Sequence, residues 1–438
     1  MNDAAIIRAG TKPARPARRS NAAEPAAVAA ELFDGLRTLS FDGVGVTRAS
    51  YDAGEQAALD FLAEWSRDEG FAVSWDPAAN LVVELPGAEA ALPAMACGSH
   101  CDTVPQGGNF DGAAGVVAGL LCLHRLKREN RTPPRTVKVY GIRGEESPWF
   151  GKPYLGSSAL FGKLDPADLQ RPHRETRRPL ADYMAAAGAD VAAIAAQRPL
   201  IDPKSLAAFI ELHIEQGPVL VDRSLPVGVV TGIRGNIRHL KVVCRGEAGH
   251  SGTVPRWLRH DAVLAVADLL MRLDEHWRVL MERGIDLVIT TGIFTTDPSR
   301  HAMSRIPGEV EFSLEFRSQS LETLETFYRL VQTECDGVAK ARGVAFDFDG
   351  RVFSPPQKVP DRWIEHLDKL AADLGIASCR LPSGAGHDAV MFAEAGIPAA
   401  MIFVRNAHGS HNPREAMAIE DFMQGVDLLH AALTGPLP

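Results

Sequence analysis

The sequence has 438 residues, of which 46% are hydrophobic and 23% charged. This length favours two or three domains, and the composition excludes an intrinsically disordered chain. Lys and Arg number 46 and Asp and Glu 55, and the net charge of −9 argues against nucleic-acid binding, which needs positive charge to displace counterions. No uncharged apolar run of about 18 residues occurs, so no membrane span is expected. Six dispersed cysteines without a CxxC pair predict a reduced, cytoplasmic protein without disulfides.

The N-terminal residues 1–27 predict a disordered or extended tail. They carry basic residues among Ala and Pro, and their apolar run AAII is too short for the apolar core of a secretory signal. Helical periodicity begins near Val28 and marks the expected start of the folded part.

Helices and strands then alternate along the chain. Residues 53–70 show a helical pattern closed by glycine, and residues 71–87 predict two strands around a turn. A short apolar strand is expected at 91–100, a helix at 111–128 and another strand at 136–144. Alternation of this kind predicts an α/β sheet.

Residues 227–352 show a different order of predicted strands and helices. Their pattern predicts the order β-α-β-β-α-β, which suits a four-stranded antiparallel sheet backed by two helices, as in ferredoxin-like folds. Since α/β patterning resumes afterwards, we expect this segment to be a domain inserted into a larger one made of residues 28–226 and 353–438.

The segment GSHCDTVPQGGNFDGAAGVVAG contains His100, Asp102 and Asp111 within twelve residues. Imidazole and carboxylate groups together suit a divalent cation such as zinc or manganese. On an extended chain Asp102 lies on the same side as His100 and could orient its imidazole. An ordinary polar loop and a loose glycine-rich nucleotide loop are the alternatives, although no Walker lysine follows the glycines.

Two further strand ends carry polar groups. Glu145 and Glu146 follow an apolar strand, and because adjacent side chains of an extended segment point in opposite directions, one could ligate a metal while the other acts as a base. In FIELHIEQGPVL, His213 and Glu215 share one face of a strand, with Gln216 beyond them. Each pattern alone is also compatible with an exposed acidic pair or a core histidine.

Taken in order, GSHCDTV with FDGAAGV, EES, HIEQGPVL, GHSGTVP and SHNPREA resemble the M20-type metallopeptidase and amidohydrolase superfamily over roughly residues 30–435. HIEQGP resembles its hydantoinase/carbamoylase branch, which includes N-carbamoyl-L-amino acid hydrolases, allantoate amidohydrolases and β-ureidopropionases. The resemblance implies an α/β, phosphorylase/hydrolase-like catalytic domain with an inserted ferredoxin-like α+β lid and dimerisation domain, and a homodimer.

The resemblance also implies roles for individual residues. Asp111 would bridge two divalent metal ions, one bound with Glu146 and His411 and the other with His100 and His213. Glu145 would be the general base, Asp102 the partner of His100, and His250 the group that stabilises the oxyanion, reaching across from a partner subunit or on domain closure. Zn²⁺ is the favoured metal, with Mn²⁺, Co²⁺ or Ni²⁺ as alternatives.

Substrate contacts are implied for Arg317, which would bind an α-carboxylate, and for Gln216, Asn236 and His387. The expected substrate is a small N-carbamoyl-L-amino acid or related, allantoate-like ureido acid. The alternatives are a dipeptidase or aminoacylase of the same superfamily and a catalytically silent binding protein on the same fold. The chain departs from many members of the family at Ser304–Gly308 and Ser147–Phe150, two segments that would contribute to substrate specificity.

Overall fold

The computed structural model describes residues 24–438, so that most of the predicted tail, residues 1–23, lies outside the described part. The first described helix begins at Pro25, three residues before the position expected from periodicity. No described helix is long and apolar enough to cross a lipid bilayer.

The helices of the described chain are α1 (Pro25–Ser40), α2 (Ala53–Asp68), α3 (Ala113–Arg128), α4 (Leu155–Leu160), α5 (Pro166–Leu169), α6 (Leu180–Ala186), α7 (Val191–Ala195), α8 (Val219–Asp222), α9 (Ala262–Glu282), α10 (Leu321–Arg342), α11 (Asp361–Asp373), α12 (Ala389–Glu394) and α13 (Ile419–Thr434).

The strands are β1 (Ala72–Trp75), β2 (Leu81–Leu85), β3 (Ala94–His100), β4 (Val137–Ile142), β5 (Leu206–Ile214), β6 (Val227–Ile233), β7 (Gly235–Arg245), β8 (Gly249–His250), β9 (Val288–Thr290), β10 (Phe294–Thr295), β11 (Arg305–Ile306), β12 (Glu309–Ser318), β13 (Ala345–Phe348), β14 (Val352–Ser354), β15 (Gln357–Lys358), β16 (Ser378–Ser383) and β17 (Ala399–Val404).

A large mixed sheet forms the centre of the molecule, in the order β1-β2-β4-β3-β5-β17-β6-β15, with β16 also paired to β6. Its middle strands β4, β3, β5 and β17 run parallel and are almost continuously buried, as expected of a sheet covered on both faces. Helices α1, α2, α3, α11 and α13 bury one face and α12 contributes to the other. The predicted α/β architecture is therefore confirmed.

A second, antiparallel sheet has the order β10-β12-β7-β13, with β9 and β14 extending the pairing. Helices α9 and α10 pack their apolar faces on it around a separate core that includes Leu269, Phe312, Phe316 and Phe327. The helices and strand segments follow the predicted order β-α-β-β-α-β, but the sheet has six strands rather than the predicted four, because two of the predicted strands are each divided into two short ones. The role of this unit as a lid or dimerisation domain stays a prediction.

One boundary differs from the sequence analysis. Residues 227–233 were expected to open the insertion, but they form β6, which pairs with β17 and β16 in the large sheet. The second sheet begins only at Gly235, the first residue of β7. The run VGVVTGI is apolar enough for either sheet, and its pairing with the buried β17 decides where it lies.

Candidate metal centre

The polar side chains singled out in the sequence lie at one edge of the large sheet. His100 ends β3, Glu145 and Glu146 follow β4, His213 lies near the end of β5, and His411 follows β17. Because these four strands are parallel neighbours, their carboxyl ends meet at the same edge, where α/β sheets bind ligands. The sheet order therefore brings together residues far apart in sequence.

Two groups of side chains at this edge could each hold a metal ion. One is His100, Asp111 and His213, and the other is Asp111, Glu146 and His411, with the potential ligand atoms of each group within 4.8 Å of one another. His100 Nε2 and His213 Nε2 lie 3.5 and 3.1 Å from Asp111 Oδ1. Asp111 is common to both groups, and a carboxylate can bridge two cations because it has two oxygens.

His411 faces the other oxygen of Asp111. Its Nε2 lies 3.4 Å from Asp111 Oδ2 and 3.2 Å from Glu146 Oε1. His411 adopts a φ of +60°, and Gln216, whose Nε2 donates to Asp111 Oδ2 over 2.9 Å, has the same φ. Left-handed backbone at non-glycine residues is strained and concentrates at functional sites.

The tautomers of the two buried histidines suit metal binding. His213 Nδ1 lies 2.8 Å from the carbonyl oxygen of Ile214, and His100 Nδ1 lies 3.0 Å from that of Asp102. A proton on each Nδ1 donates to these carbonyls and leaves the Nε2 lone pair facing Asp111. Asp111 Oδ1 is buried and accepts no hydrogen bond. A divalent cation fits this arrangement because two Nε2 atoms and an unpartnered carboxylate oxygen converge, although the N–H of Gly112 also lies 3.2 Å from His213 Nε2.

The charges in the metal-free protein are consistent with such a site. Burial opposes an imidazolium at His100, but Asp102 and Asp111 outweigh it and raise the pKa of His100 well above its usual value. Burial likewise opposes ionisation of Asp111, but the neighbouring His100 and His213, when they are protonated, outweigh burial and lower the pKa of Asp111. A metal ion can take the place of these protons, so its binding releases them.

Glu145 and Glu146 point in different directions, as expected. Glu145 Oε2 approaches His100 Nε2 to 4.0 Å, whereas Glu146 Oε1 lies beside His411. Burial raises the pKa of Glu145 well above its usual value. A carboxyl group with a raised pKa at this position can hold a proton taken from water.

Asp102 holds the Glu145–Glu146 pair as well as contacting His100. Its two oxygens accept the backbone N–H groups of Glu145 and Glu146, at 3.0 and 3.1 Å, and the hydroxyl of Ser50 at 2.5 Å. Its side chain is 3.4 Å from His100 Nδ1, farther than its own carbonyl oxygen. Asp102 therefore positions the two glutamates more directly than it orients the imidazole.

Gly112 gives the His100 ring its space. It has a φ of +66°, and a Cβ there would lie 2.4 Å from atoms of that ring. Only glycine combines this backbone conformation with such a close approach at no cost.

The predicted substrate contacts cluster where the two sheets meet. Arg317 on β12 and Asn236 on β7 are paired in register, and Arg317 Nη1 donates to the carbonyl oxygen of Gly384 over 2.6 Å. His387 lies 2.8 Å from Ser383 Oγ and packs edge-on against His213. Asn236 Oδ1, like Gln216 Oε1, is buried and has no hydrogen-bond partner.

His250 is the predicted site residue that the structure does not bring to this cluster. It is exposed on the short strand β8, paired with Arg305 of β11. Its Nδ1 accepts the N–H of Gly252 at 3.1 Å. Within residues 24–438, no contact joins it to the candidate ligands of the same chain.

The sequence analysis gave no role to Ser410 and Glu415. Ser410 Oγ contacts Asp111 Oδ2, and Glu415 Oε1 accepts the N–H of Asp111. Both belong to the motif SHNPREA, so the signal was present. However, the motif precedes α13, which begins at Ile419, and a charged residue in such a segment is usually exposed, whereas Glu415 is buried.

Known proteins are similar to this chain over most of its length. A family model described as Peptidase family M20/M25/M40 matches residues 96–435. An N-carbamoyl-L-amino acid amidohydrolase of Geobacillus stearothermophilus is 33% identical over 389 residues, covering 88% of this chain and 92% of the relative. An allantoate amidohydrolase of Escherichia coli (strain K12) is 30% identical over 388 residues, covering 86% of this chain and 92% of the relative.

A solved structure extends the similarity to the fold. A hydantoinase/carbamoylase family amidase from Burkholderia ambifaria superposes with a TM-score of 0.80 at 30% sequence identity, covering 93% of this chain and 98% of that chain. The similarity therefore spans both sheets rather than the metal-binding edge alone.

Proposed function

The chain belongs to the peptidase family M20/M25/M40, and we propose that it hydrolyses a linear, non-peptide C–N bond in an N-carbamoyl-L-amino acid or a related ureido acid. Enzymes of this family generally use two metal ions, and the single observation that carries the proposal is the pair of ligand groups that share Asp111. Relatives named N-carbamoyl-L-amino acid amidohydrolase and allantoate amidohydrolase support the substrate class.

The chemistry follows from Glu145. When held by these ligand groups, a pair of divalent cations would polarise the substrate carbonyl and lower the pKa of the attacking water. Glu145 Oε2 accepts a proton from the attacking water and delivers it to the leaving nitrogen. Burial, which raises the pKa of Glu145, favours the intermediate stage in which this carboxyl group is protonated.

Unpaired acceptors support a ureido group as the substrate. The amide oxygens of Asn236 and Gln216 are buried without donors, and a buried acceptor is costly until a donor reaches it. A ureido group carries several N–H donors, so it can satisfy such oxygens. Arg317 lies beside Asn236 and is 27% exposed at its side chain. It contacts the carbonyl oxygen of Gly384 and pairs with Glu315, and the N–H donors of its guanidinium that remain can bind a carboxylate.

We assign the metal as Zn²⁺ on donor type, since imidazole and carboxylate ligands are typical of zinc. Mn²⁺, Co²⁺ and Ni²⁺ suit similar donors. We further propose a homodimer in which the unit built on the second sheet, from β7 to β14, acts as lid and dimerisation domain. His250 then reaches the site of the partner subunit, because its exposed strand leaves it away from the ligands of its own chain.

A chelation experiment tests the metal-dependent activity. Exhaustive treatment with a chelator should abolish hydrolysis of N-carbamoyl-L-amino acids or allantoate, and added Zn²⁺ or Mn²⁺ should restore it. Dipeptides and N-acyl amino acids form the comparison panel. Turnover that survives complete metal removal, or a preference for dipeptides, contradicts the proposal.

Arg317→Ala tests the carboxylate contact. It should raise KM for substrates that carry the α-carboxylate and leave a substrate without this group little affected. Arg238→Ala is a matched control, because Arg238 also pairs with Glu315 and has no assigned role in binding. Equal losses for both substrates in Arg317→Ala would remove Arg317 from the binding site.

A further inference from the structure

Glu415 lies in the segment between β17 and α13 and has no role in the proposed chemistry. Its side chain is buried, with the residue 8% exposed. Burying a carboxyl group is costly unless its oxygens are hydrogen-bonded, so its contacts should explain why it lies inside.

Both oxygens of Glu415 are used to hold Asp111 and its neighbours. Oε1 accepts the N–H groups of Phe110, at 2.8 Å, and Asp111, at 3.2 Å. Oε2 lies 2.6 Å from the hydroxyl oxygen of Ser410, and the same hydroxyl contacts Asp111 Oδ2. Glu415 therefore constrains Asp111 at its backbone directly and at its carboxylate through Ser410.

The loop that precedes Asp111 is shaped to admit this carboxyl group. A Cβ at Gly108 would lie 2.0 Å from the carboxyl carbon of Glu415, closer than any side chain allows. Glycine at this position lets the Glu415 side chain pack against the backbone of the loop.

The contacts of Glu415 favour one metal position over the other. Ser410 immediately precedes His411, so Glu415 joins the loop that carries His411 to the loop that carries Asp111. By contrast, His100 and His213 belong to the paired strands β3 and β5, whose positions are fixed by the sheet.

We propose that Glu415 is a positioning residue that assembles the metal position formed by Asp111, Glu146 and His411. It acts by holding two loops together, not by ligating the ion, because its Oε1 accepts two backbone N–H groups and its Oε2 is in hydrogen-bond contact with Ser410. The inference rests on the metal centre of the proposed function and is independent of the substrate. Residues that hold a metal ligand in place typically contribute about 10–100-fold to metal affinity.

Calorimetric titration of the chelator-stripped full-length protein with Zn²⁺ alone tests this inference. The wild type should bind two ions. Glu415→Ala should weaken the ion held by Asp111, Glu146 and His411 by about 10–100-fold and weaken the other ion much less, although Asp111 belongs to both groups. Glu415→Gln should restore two-ion binding, because its amide oxygen still accepts both N–H groups and its amide nitrogen can donate to Ser410. Glu420→Ala, at an exposed glutamate, serves as the control and should bind two ions as the wild type does.

Ser410→Ala provides a second test if Glu415→Ala does not fold. Ser410 is only partly buried, and its removal should weaken the same single ion by cutting the link to the Asp111 carboxylate. Two-ion binding like that of the wild type in both Glu415→Ala and Ser410→Ala overturns the inference, as does equal weakening of both ions. A wild type that binds no pair of ions instead contradicts the proposed metal centre. Two-ion binding without ureido hydrolysis contradicts only the proposed substrate.

Discussion

At the scale of single residues, Gly112 and His411 show how backbone and charge prepare the metal-binding edge. Gly112 leaves room for the His100 ring by adopting a φ of +66°. His411 is more than half exposed at its side chain yet lies between Asp111 and Glu146. The two residues affect different metal positions, which makes their effects separable.

Gly112→Ala should reduce metal affinity and stability together. Its Cβ would lie 2.4 Å from the His100 ring, so the imidazole must turn away from Asp111, and the left-handed backbone adds about 1 kcal/mol of strain. Gly284→Ala is the matched control, since Gly284 has a φ of +73° with nothing within 4 Å of an added Cβ. Thermal unfolding should show the strain in both variants, and metal titration should show a loss in Gly112→Ala alone. Metal affinity equal to that of the control would disprove the role of Gly112.

Metal uptake should depend on pH through His411. The hydrogen bond to Glu146 raises the pKa of His411 to about 9 in the metal-free protein. Below that pH the imidazole carries a proton that must leave before Nε2 can bind an ion. The affinity of this position should therefore rise by about tenfold per pH unit up to about pH 9. Metal titrations over a pH series measure the slope, and His411→Gln should lose this component of it. An unchanged slope in His411→Gln would argue against His411 as a ligand.

At the scale of elements, helix α2 fixes the loop that follows β4. Glu55 of α2 accepts the N–H of Gly144 at 2.9 Å and pairs with Arg143 Nη1 at 2.8 Å. Both side chains of this ion pair are fully buried. The residue after Gly144 is the proposed base, Glu145, so helix α2 fixes the backbone position from which the side chain of that base extends.

Glu55→Gln should therefore destabilise the protein strongly. It leaves the Arg143 guanidinium without its buried counter-charge, and breaking a buried pair typically costs about 3–5 kcal/mol. Asp373→Asn breaks the exposed Lys369–Asp373 pair and should cost less than about 1 kcal/mol. Urea unfolding of both variants makes the comparison. Similar decreases in the free energy of unfolding in the two variants would show that burial of the Glu55–Arg143 pair contributes little to stability.

Much of the fold follows from local patterns, and the rest depends on pairing between distant segments. The alternation of strands and helices predicted the α/β sheet, and residues at strand ends predicted which side chains lie at its edge. Membership of β6 in the large sheet was missed, because an apolar run fits either sheet until its neighbour is known. Glu415 was missed for a similar reason, since its burial depends on Gly108, about three hundred positions earlier. The roles of the site residues stay predictions.

At the scale of the whole molecule, the exposure of His250 raises the question of which site it serves. It lies on β8, beside β11, and both short strands belong to the segment that carries the second sheet. The exposed side chains of Trp257, Leu258 and Met303 lie in the same segment. Together these features favour action in a second copy of the chain.

Mixed dimers test this arrangement. When His250→Ala and Glu145→Gln subunits are combined, one site of each mixed dimer receives an intact Glu145 and an intact His250. A one-to-one mixture should regain about a quarter of wild-type activity, because half of the dimers are mixed and each has one complete site. Each variant reassembled with itself is the control and should stay inactive. No recovery in the mixture would indicate that His250 acts within its own subunit.

The spread of the candidate ligands along the chain has a consequence for biosynthesis. The central strand β17 and the loop with His411 and Glu415 come after nearly all other elements of the large sheet. A nascent chain still lacking this segment has β5 and β6 without the strand that pairs with both of them, and it lacks His411 among the candidate ligands. Loading should therefore be a late event that follows release of residue 415 from the ribosomal tunnel, and it should coincide with closure of the sheet.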